Sequence, residues 1–381
     1  MLPTLVSRSG KFHFTCVAIV ACAVGCSSSD TSATDQGFGG DDASATIDAS
    51  PERRHDASRG GDGSQGGDAS HSGDASTGGD ASKSMDASTG GDASTAPDGG
   101  GDASGGGGSD GGSVLPLPSP LHGVTVDDIS NLSSVVGSLS ALPHKPTARI
   151  VFDENQQPSY YAKAVPAIHG VAYVMGEILD SAYVKNDTVT QYTQRTSAYL
   201  AAFPTGVDLW EVGNEINGNW LGNETDVANK MTGAFDLVKA AGGKTELTLY
   251  GCSDSGQTYD MFTWVNAHVP ARMLTGLDYV LVSYYEGDCG APRSDWTSVF
   301  QQLRALFPTA GLGFGEVGYT DKNGNDIALQ NVSAATTYLQ KYYLMQVPVS
   351  GYVGGYFWWY FAEDMVPKTQ PLFPVLSAAM Q

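Results

Sequence analysis

Two glutamates stand out because each comes at the end of a short apolar run that contains glycine. Glu215 lies in WEVGNEIN at 210–217, and Glu316 lies in GFGEVG at 313–318. Two carboxyl groups can act on one bond when one holds a proton and the other is ionised. Cleavage of a glycosidic bond with retention needs such a pair about 5 to 5.5 Å apart. The residues therefore indicate this chemistry if the fold brings them together.

Short apolar runs alternate with longer helical patterns from about residue 115 onward, which is typical of repeated βα units and a parallel sheet. Strands are predicted at 122–126, 148–152, 171–175, 208–212, 247–251, 279–283, 311–315 and 354–359. Helices are predicted at 129–142, 160–168, 188–203, 225–241, 259–269, 296–307, 334–345 and 375–380. Eight such pairs in about 250 residues predict an α/β fold of the (β/α)8 type, the TIM barrel.

A doubly wound open sheet is the structural alternative. It would usually carry a glycine-rich turn after its first strand, and HGVTVDD at 122–128 has no such turn. In a barrel, catalytic groups lie at the carboxyl ends of the strands. Glu215 follows strand 4 and Glu316 ends strand 7. These strands face each other across the barrel mouth, so we expect the two carboxylates to approach one bond from opposite sides.

Several short motifs are similar to those of the large clan of retaining glycoside hydrolases with (β/α)8 barrels. They are VGNEIN at 212–217, SYY at 283–285, GE at 315–316 and FWWY at 357–360. The layout of the whole globular part matches that clan, and the strand-6 motif resembles that of endo-β-1,4-galactanases. The resemblance implies that Glu215 is the acid/base and Glu316 the nucleophile. We then expect a bell-shaped rate profile on the acidic side of neutral.

The resemblance also implies roles for neighbouring residues. Asn214 would hydrogen-bond the sugar 2-hydroxyl, Tyr285 would hydrogen-bond Glu316, and Arg149 on strand 2 would keep Glu316 ionised. Two positions depart from the clan. Ser283 stands where many relatives have histidine, and three apolar residues follow Arg149, which favours a deeper position than direct contact.

Further candidates for substrate binding are aromatic or acidic residues near strand ends. Trp358 and Trp359 alternate faces of strand 8, so only one can face the mouth, and Trp359 is favoured because it lies nearer the strand end. Trp220 and Tyr284 are predicted to stack on sugar rings. Glu177, at the end of strand 3, is predicted to line a subsite.

The first 114 residues differ in composition from the rest. Residues 1–25 carry two basic residues, a short apolar run and small residues, which is typical of a signal peptide. The AVGC ending resembles the bacterial lipobox and predicts acylation of Cys26; an ordinary signal peptide with an unmodified Cys26 is the alternative. Residues 26–114 repeat the triplet Asp-Ala-Ser, which contains no large apolar residue to bury, and this predicts a flexible linker rather than a solenoid. The prediction is an exported 115–381 domain, lipid-anchored to the bacterial cell envelope or cell surface.

Cysteine usage fits export. Cys16 and Cys22 lie in the predicted signal, and Cys26 is the predicted lipid site. The two remaining cysteines are Cys252 and Cys289. An oxidising compartment permits a disulfide between these two, and they follow the neighbouring strands 5 and 6. Two free thiols are the alternative.

Charge and composition exclude some partners. More than half of the net charge of −21 falls in residues 26–114, and no basic patch is present, which disfavours nucleic-acid binding. No cluster has metal-ligand spacing, and the chemistry requires no cofactor. We expect a monomer that acts on a β-linked polysaccharide or oligosaccharide. A catalytically inactive carbohydrate-binding surface lipoprotein and a transglycosylase using the same intermediate are the alternatives.

Overall fold

The structure, a computed structural model, describes residues 117–252, 260–290 and 292–381. The predicted signal peptide at 1–25, the predicted lipid site Cys26 and the predicted linker at 26–114 lie outside these residues. Across the described ranges, every helix is too short or too polar to cross a bilayer.

Eight parallel strands close into a barrel in sequence order, with the last strand paired to the first. They are β1 (Leu121–Val126), β2 (Thr147–Val151), β3 (Tyr173–Glu177), β4 (Leu209–Glu211), β5 (Thr245–Tyr250), β6 (Tyr279–Ser283), β7 (Gly311–Glu316) and β8 (Tyr352–Trp358). The predicted barrel of eight parallel strands is confirmed.

Helices follow each strand and cover the outside of the barrel. In the described residues they are α1 (Leu132–Leu139), α2 (Ala164–His169), α3 (Val189–Ala202), α4 (Glu224–Ala240), α5 (Met261–His268), α6 (Ala271–Gly276), α7 (Glu286–Cys289), α8 (Trp296–Leu306), α9 (Val332–Tyr343), α10 (Phe361–Met365) and α11 (Phe373–Ala379). Several begin at side chains that accept a hydrogen bond from the first turn, including Thr188, Asn223, Asp260 and Asn331.

The third strand begins two residues later than the pattern predicted. The backbone N–H groups of Val171 and Ala172 both donate to the carbonyl of Ile168, so these residues continue the turn that ends α2. The strand also ends two residues later than the pattern predicted, at Glu177, which pairs in register with Glu211 of β4. As a result, Glu177 lies inside the barrel wall.

The barrel interior has two layers of different character. Its lower part is apolar and is formed by Leu117, Leu121, Met175, Leu209, Leu281 and Phe357. A Cβ at position 123 would lie 2.5 Å from the Phe357 ring, so Gly123 provides the space that this ring occupies. Above this floor the inward positions are polar and fully or almost fully buried: Arg149, Glu177, Glu211, Glu246 and Thr248. The polar layer supports the carboxyl end of the barrel.

A disulfide joins Cys252, just after β5, to Cys289 at the end of α7, with Cα atoms 5.3 Å apart. The two cysteines are 37 residues apart in sequence. The bridge ties the loop after β5 to the short helix after β6.

We expect the double variant Cys252→Ser/Cys289→Ser to lose about 2–4 kcal/mol of unfolding free energy, because closing a loop of this length restricts the unfolded chain. Urea titration of the full chain with and without reductant measures this loss. Reductant should destabilise the parent and leave the double variant unchanged. A parent that is insensitive to reductant under unfolding conditions would contradict the stabilising role.

Candidate active site

A cleft opens at the carboxyl end of the barrel, with an empty volume of about 490 Å³ that includes its open mouth. Its described lining residues are Asp180, Ser181, Asn214, Glu215, Tyr285, Asp288, Glu316, Thr320, Asn323, Gly324, Asn325, Trp359 and Tyr360. Five of these were predicted from the sequence. The cleft lies where a barrel of this type usually carries its functional groups.

Glu215 lies four residues beyond the end of β4, on a tight turn. Its φ of 47° lies in the left-handed region, which is uncommon for a residue with a side chain. A Cβ on the nearby Gly213 would lie 2.6 Å from Ile216, so the turn needs glycine there. Both Glu215 oxygens lie within hydrogen-bond distance of a serine hydroxyl, Oε2 at 2.8 Å from Ser181 Oγ and Oε1 at 2.6 Å from Ser283 Oγ. The strained turn therefore holds a carboxyl group that is fixed at both oxygens.

Glu316 is the last residue of β7 and has more donors around it. Its Oε1 accepts from Asn214 Nδ2 at 2.7 Å and pairs with Arg149 at 2.7 Å. Its Oε2 accepts from the Tyr285 hydroxyl at 2.9 Å, with Ser283 Oγ at 3.3 Å. Four donors, one of them a guanidinium, favour the ionised form of this side chain. The two glutamates therefore have different surroundings.

Ser283 lies between the two glutamates and contacts both. It is the last residue of β6, fully buried, and pairs in register with Glu316. From the sequence, position 283 was noted only as a departure from the histidine of related enzymes. Its inward place at a strand end was the signal that it belongs to the site.

Ser181 is a second site residue that the sequence did not reveal. It lies on the loop after β3, and its backbone N–H donates to Asn214 Oδ1 at 2.9 Å while its hydroxyl contacts Glu215. Trp220 Nε1 donates to the same hydroxyl at 3.2 Å. A serine on an irregular loop has no periodic pattern that would single it out.

Arg149 lies directly beneath the cleft, fully buried, and makes ion pairs with three glutamates. Its Nε and NH2 form a bidentate pair with Glu211 at 2.6 and 2.9 Å, and NH2 lies 3.2 Å from Glu177. Its third nitrogen pairs with Glu316. The structure therefore places Arg149 against Glu316, deep enough that it contacts side chains rather than the cleft itself.

Burial raises the pKa of Glu177 and of Glu246 well above the ordinary glutamate value. Arg149 opposes the rise in both pKa values, and the nearby Glu211 adds to it. The raised pKa values favour the neutral form of these two carboxyls. Burial also raises the pKa of Glu316, while Arg149 and the Tyr285 hydroxyl lower it.

Three residues that were predicted to contact substrate lie away from the cleft lining. Glu177 lies under the site, fully buried against Arg149, and does not line the cleft. Tyr284 is 2% exposed and packs edge-on against Trp296, with ring centroids 4.8 Å apart, because it takes the outward position beside the inward-facing Tyr285. Trp358 faces the helices and donates from Nε1 to Asp364 at 2.8 Å.

The other two aromatic candidates lie at or beside the cleft. Trp359 lines it, and the Arg149 guanidinium lies 5.2 Å from its ring centroid. Trp220 is half-buried, packs edge-on against Tyr250, and contacts the cleft through Ser181. Of the two adjacent tryptophans, the structure thus brings the favoured one to the mouth.

The disulfide lies beside the site. Asp288, next to Cys289 on α7, lines the cleft and contacts the hydroxyls of Tyr250 at 3.3 Å and Thr320 at 3.4 Å. No group of three metal-ligating side chains that could hold an ion occurs within the described ranges.

Comparisons with known proteins give weak likenesses only. No family model matches the chain, and no curated protein matches it. Among solved structures, Saccharomyces cerevisiae Gas2p in complex with laminaritriose and laminaritetraose is 13% identical with a TM-score of 0.45, covering 68% of this chain and 63% of that one. A calcium-binding mutant of Bacteroides uniformis β-glucuronidase 2 is also 13% identical with a TM-score of 0.45, covering 69% of this chain and 35% of that one. The chain thus spans less than two thirds of the length of both.

We expect Arg149→Met to lower the unfolding free energy by about 3–5 kcal/mol at neutral pH, because it leaves buried carboxylates without their partner. In the variant, these carboxylates have a pKa raised above that of the unfolded chain. The loss should therefore grow as pH rises above the ordinary glutamate range and shrink in acid.

Urea unfolding at several pH values measures this effect. The control is Arg272→Met, which breaks an exposed pair with Asp236 at 2.8 Å and should cost no more than about 1 kcal/mol. Equal losses in the two variants, or a loss at Arg149 that does not vary with pH, would contradict the account.

Proposed function

We propose that this chain is a retaining glycoside hydrolase that cleaves a β-linked polysaccharide or oligosaccharide, with Glu215 as acid/base and Glu316 as nucleophile. The observation that carries the proposal is the hydroxyl of Ser283, which lies 2.6 Å from Glu215 Oε1 and 3.3 Å from Glu316 Oε2. The two carboxylate oxygens are therefore no further apart than the sum of these distances. This bound is compatible with the roughly 5 to 5.5 Å that separates the two carboxyl groups of a retaining enzyme.

The unequal surroundings of the two glutamates assign their roles. Glu316 receives an arginine, an amide and a phenol, which suits a group that must be ionised in order to attack. Glu215 receives two serine hydroxyls, which can either donate or accept and so suit a group that changes its protonation state.

The reaction proceeds in two steps. An oxygen of Glu316 attacks the anomeric carbon as the glycosidic C–O bond breaks, and the leaving oxygen takes the proton of Glu215. This gives a glycosyl ester on Glu316 and an ionised Glu215. Glu215 then takes a proton from water as the water oxygen attacks the anomeric carbon, which frees Glu316. Asn214, held by Glu316 and by the Ser181 backbone, is placed to meet the sugar hydroxyl next to the anomeric centre.

The lining of the cleft favours a neutral sugar. The described lining residues include four carboxyl groups, those of Asp180, Glu215, Asp288 and Glu316, and no lysine, arginine or histidine. A negative charge on the substrate would meet other negative charges in a site of low dielectric, where repulsion is strong. We therefore propose that the enzyme selects neutral residues over uronic acids.

We further propose that the barrel acts outside the cytoplasm, held to a membrane by acylated Cys26 and extended from it by the 26–114 segment. The basis is the AVGC ending and the repeated Asp-Ala-Ser composition. Two lipid chains on a cysteine, with a long polar segment, would give the domain reach without burying it in the bilayer.

We expect the full chain to release reducing ends from one polymer in a panel of neutral β-glycans, and Glu316→Ala to reduce release to background. Glu215→Ala should lower it at least about a hundredfold, because it removes general acid catalysis. The matched control is Glu154→Gln, a carboxyl group on the loop after β2 that does not line the cleft; it should keep the parent rate.

Azide separates the two roles on a 4-nitrophenyl β-glycoside. With Glu316→Gly it should give the α-glycosyl azide, and with Glu215→Ala the β-glycosyl azide. Sugar products longer than the substrate would indicate transfer to a sugar acceptor. If the parent and both variants bind one polymer and none of them cleaves it, the result would contradict the proposed hydrolase and indicate a carbohydrate-binding protein.

The charge selection has its own test. For matched aryl β-glycosides, we expect the glucoside or galactoside to be favoured over the corresponding uronide by at least about tenfold in kcat/KM, which corresponds to about 1.4 kcal/mol. Asp288→Asn should lower the ratio of kcat/KM for the neutral glycoside to that for the uronide, because it removes one negative charge from the cleft. A parent that prefers the uronide would contradict the proposal.

A further inference from the structure

The hydroxyl of Ser283 is shared between two carboxyl groups, although it has only one proton to donate. Its oxygen lies within hydrogen-bond distance of Glu215 Oε1 and of Glu316 Oε2. The direction in which it donates therefore depends on which carboxyl carries the negative charge. The side chain is fully buried, so water does not compete for this proton.

The other oxygen of Glu215, Oε2, contacts the hydroxyl of Ser181. An indole N–H can only donate, so Trp220 donates to Ser181 Oγ. Ser181 in turn donates to Glu215 Oε2 at 2.8 Å. With Oε2 acting as an acceptor, the acid proton of Glu215 belongs on Oε1, which is the oxygen that faces Ser283.

We propose that Ser283 is a positioning residue that couples the charge states of Glu215 and Glu316 by reversing its hydrogen bond during turnover; this rests on the proposed function. In the free enzyme, protonated Oε1 of Glu215 donates to Ser283, and Ser283 donates to the ionised Glu316. When Glu316 becomes an ester it loses its charge, and Ser283 turns to donate to the now ionised Glu215.

No proton leaves Ser283 in this cycle. Its hydroxyl hydrogen rotates about the Cβ–Oγ bond, while the reacting proton passes from Glu215 to the leaving oxygen and returns from water. The hydroxyl therefore stabilises the negative charge wherever it lies, first on the nucleophile and then on the base. A serine at this position can do so because it both donates and accepts.

Several other titratable or charged groups face the two carboxyls, and each stays in place in the test variants. They are Arg149 of β2, Glu177 of β3, Asp180 of the loop after β3, Glu211 of β4, Glu246 of β5, Tyr285 after β6 and Tyr360 after β8. A difference between the parent and a Ser283 variant therefore measures the effect of the shared hydroxyl, because the other charged groups are unchanged.

The test compares Ser283→Ala with Ser283→Thr, which keeps a hydroxyl, by the pH dependence of kcat/KM on the 4-nitrophenyl β-glycoside that the parent hydrolyses fastest. Without the hydroxyl, the protonation state with Glu215 neutral and Glu316 ionised loses the two hydrogen bonds that stabilise it. In the kcat/KM profile of Ser283→Ala, the pKa of the acid limb should therefore rise and the pKa of the alkaline limb should fall, each by about half a unit to one unit. Ser283→Thr should restore the parent width.

The matched control is Ser138→Ala, which removes a buried serine hydroxyl from α1, away from the cleft. It should leave both limbs where the parent has them. A Ser283→Ala variant that is slower but keeps the parent limbs would overturn the proposal and make Ser283 a packing residue. Correct folding is checked by the urea midpoint of each variant.

A second measurement is independent of turnover. Carboxyl carbon NMR of the full chain, labelled at glutamate Cδ and assigned with Glu215→Gln and Glu316→Gln, follows the two titrations directly. Two titrations that move closer together in Ser283→Ala would support the coupling, even if no glycoside is cleaved and the proposed function fails. Titrations identical in the parent and in Ser283→Ala would overturn the coupling, even if the enzyme is active.

Discussion

The central interaction of this barrel is the contact of the Arg149 guanidinium with three buried glutamates. Arg149 is fully buried and faces Glu177, Glu211 and Glu316, so the inward polar layer carries more acidic groups than positive charge. Buried charges are costly unless they are paired and hydrogen-bonded. The structure meets this constraint by placing the arginine against three carboxyl groups, and burial raises the pKa of Glu177 and of Glu246, which favours their neutral form. The position of Glu316 follows from this arrangement, since it is the partner of Arg149 that lines the cleft.

The two glutamates of the cleft are supported in different ways. Glu316 belongs to a strand, and its orientation comes from the barrel wall and from the polar layer below. Glu215 belongs to a turn, and its orientation comes from loop residues, Ser181 and the half-buried Trp220, and from Ser283 at the end of β6. The apolar floor of leucine, methionine and phenylalanine under the polar layer keeps water from entering from below. A rigid polar layer thus supports Glu316, while Glu215 is surrounded by hydroxyls that can reorient.

The eightfold alternation and the two strand-end glutamates could be predicted from the sequence, because both depend on local periodicity and on the rule that barrel sites lie at carboxyl ends. Choices between adjacent residues were harder. Tyr284 and Tyr285 differ only in which face of the chain they take, and β3 ends two residues later than predicted, so Glu177 lies in the wall and not at the rim. Ser181 and Ser283 have no composition signal, since a hydroxyl gains its role only from the carboxyls that the fold brings beside it. The predicted signal, lipid site and linker stay predictions.

The left-handed backbone at Glu215 also bears on how such a protein could change over time. Glycine and asparagine adopt a φ of 47° at a lower conformational cost than glutamate does, so exchanging Glu215 for either would relieve strain of order 1 kcal/mol or more. Exchange of Glu215 would then be a stabilising step. A glutamate kept in a conformation that disfavours it indicates selection on its side chain rather than on the stability of the fold.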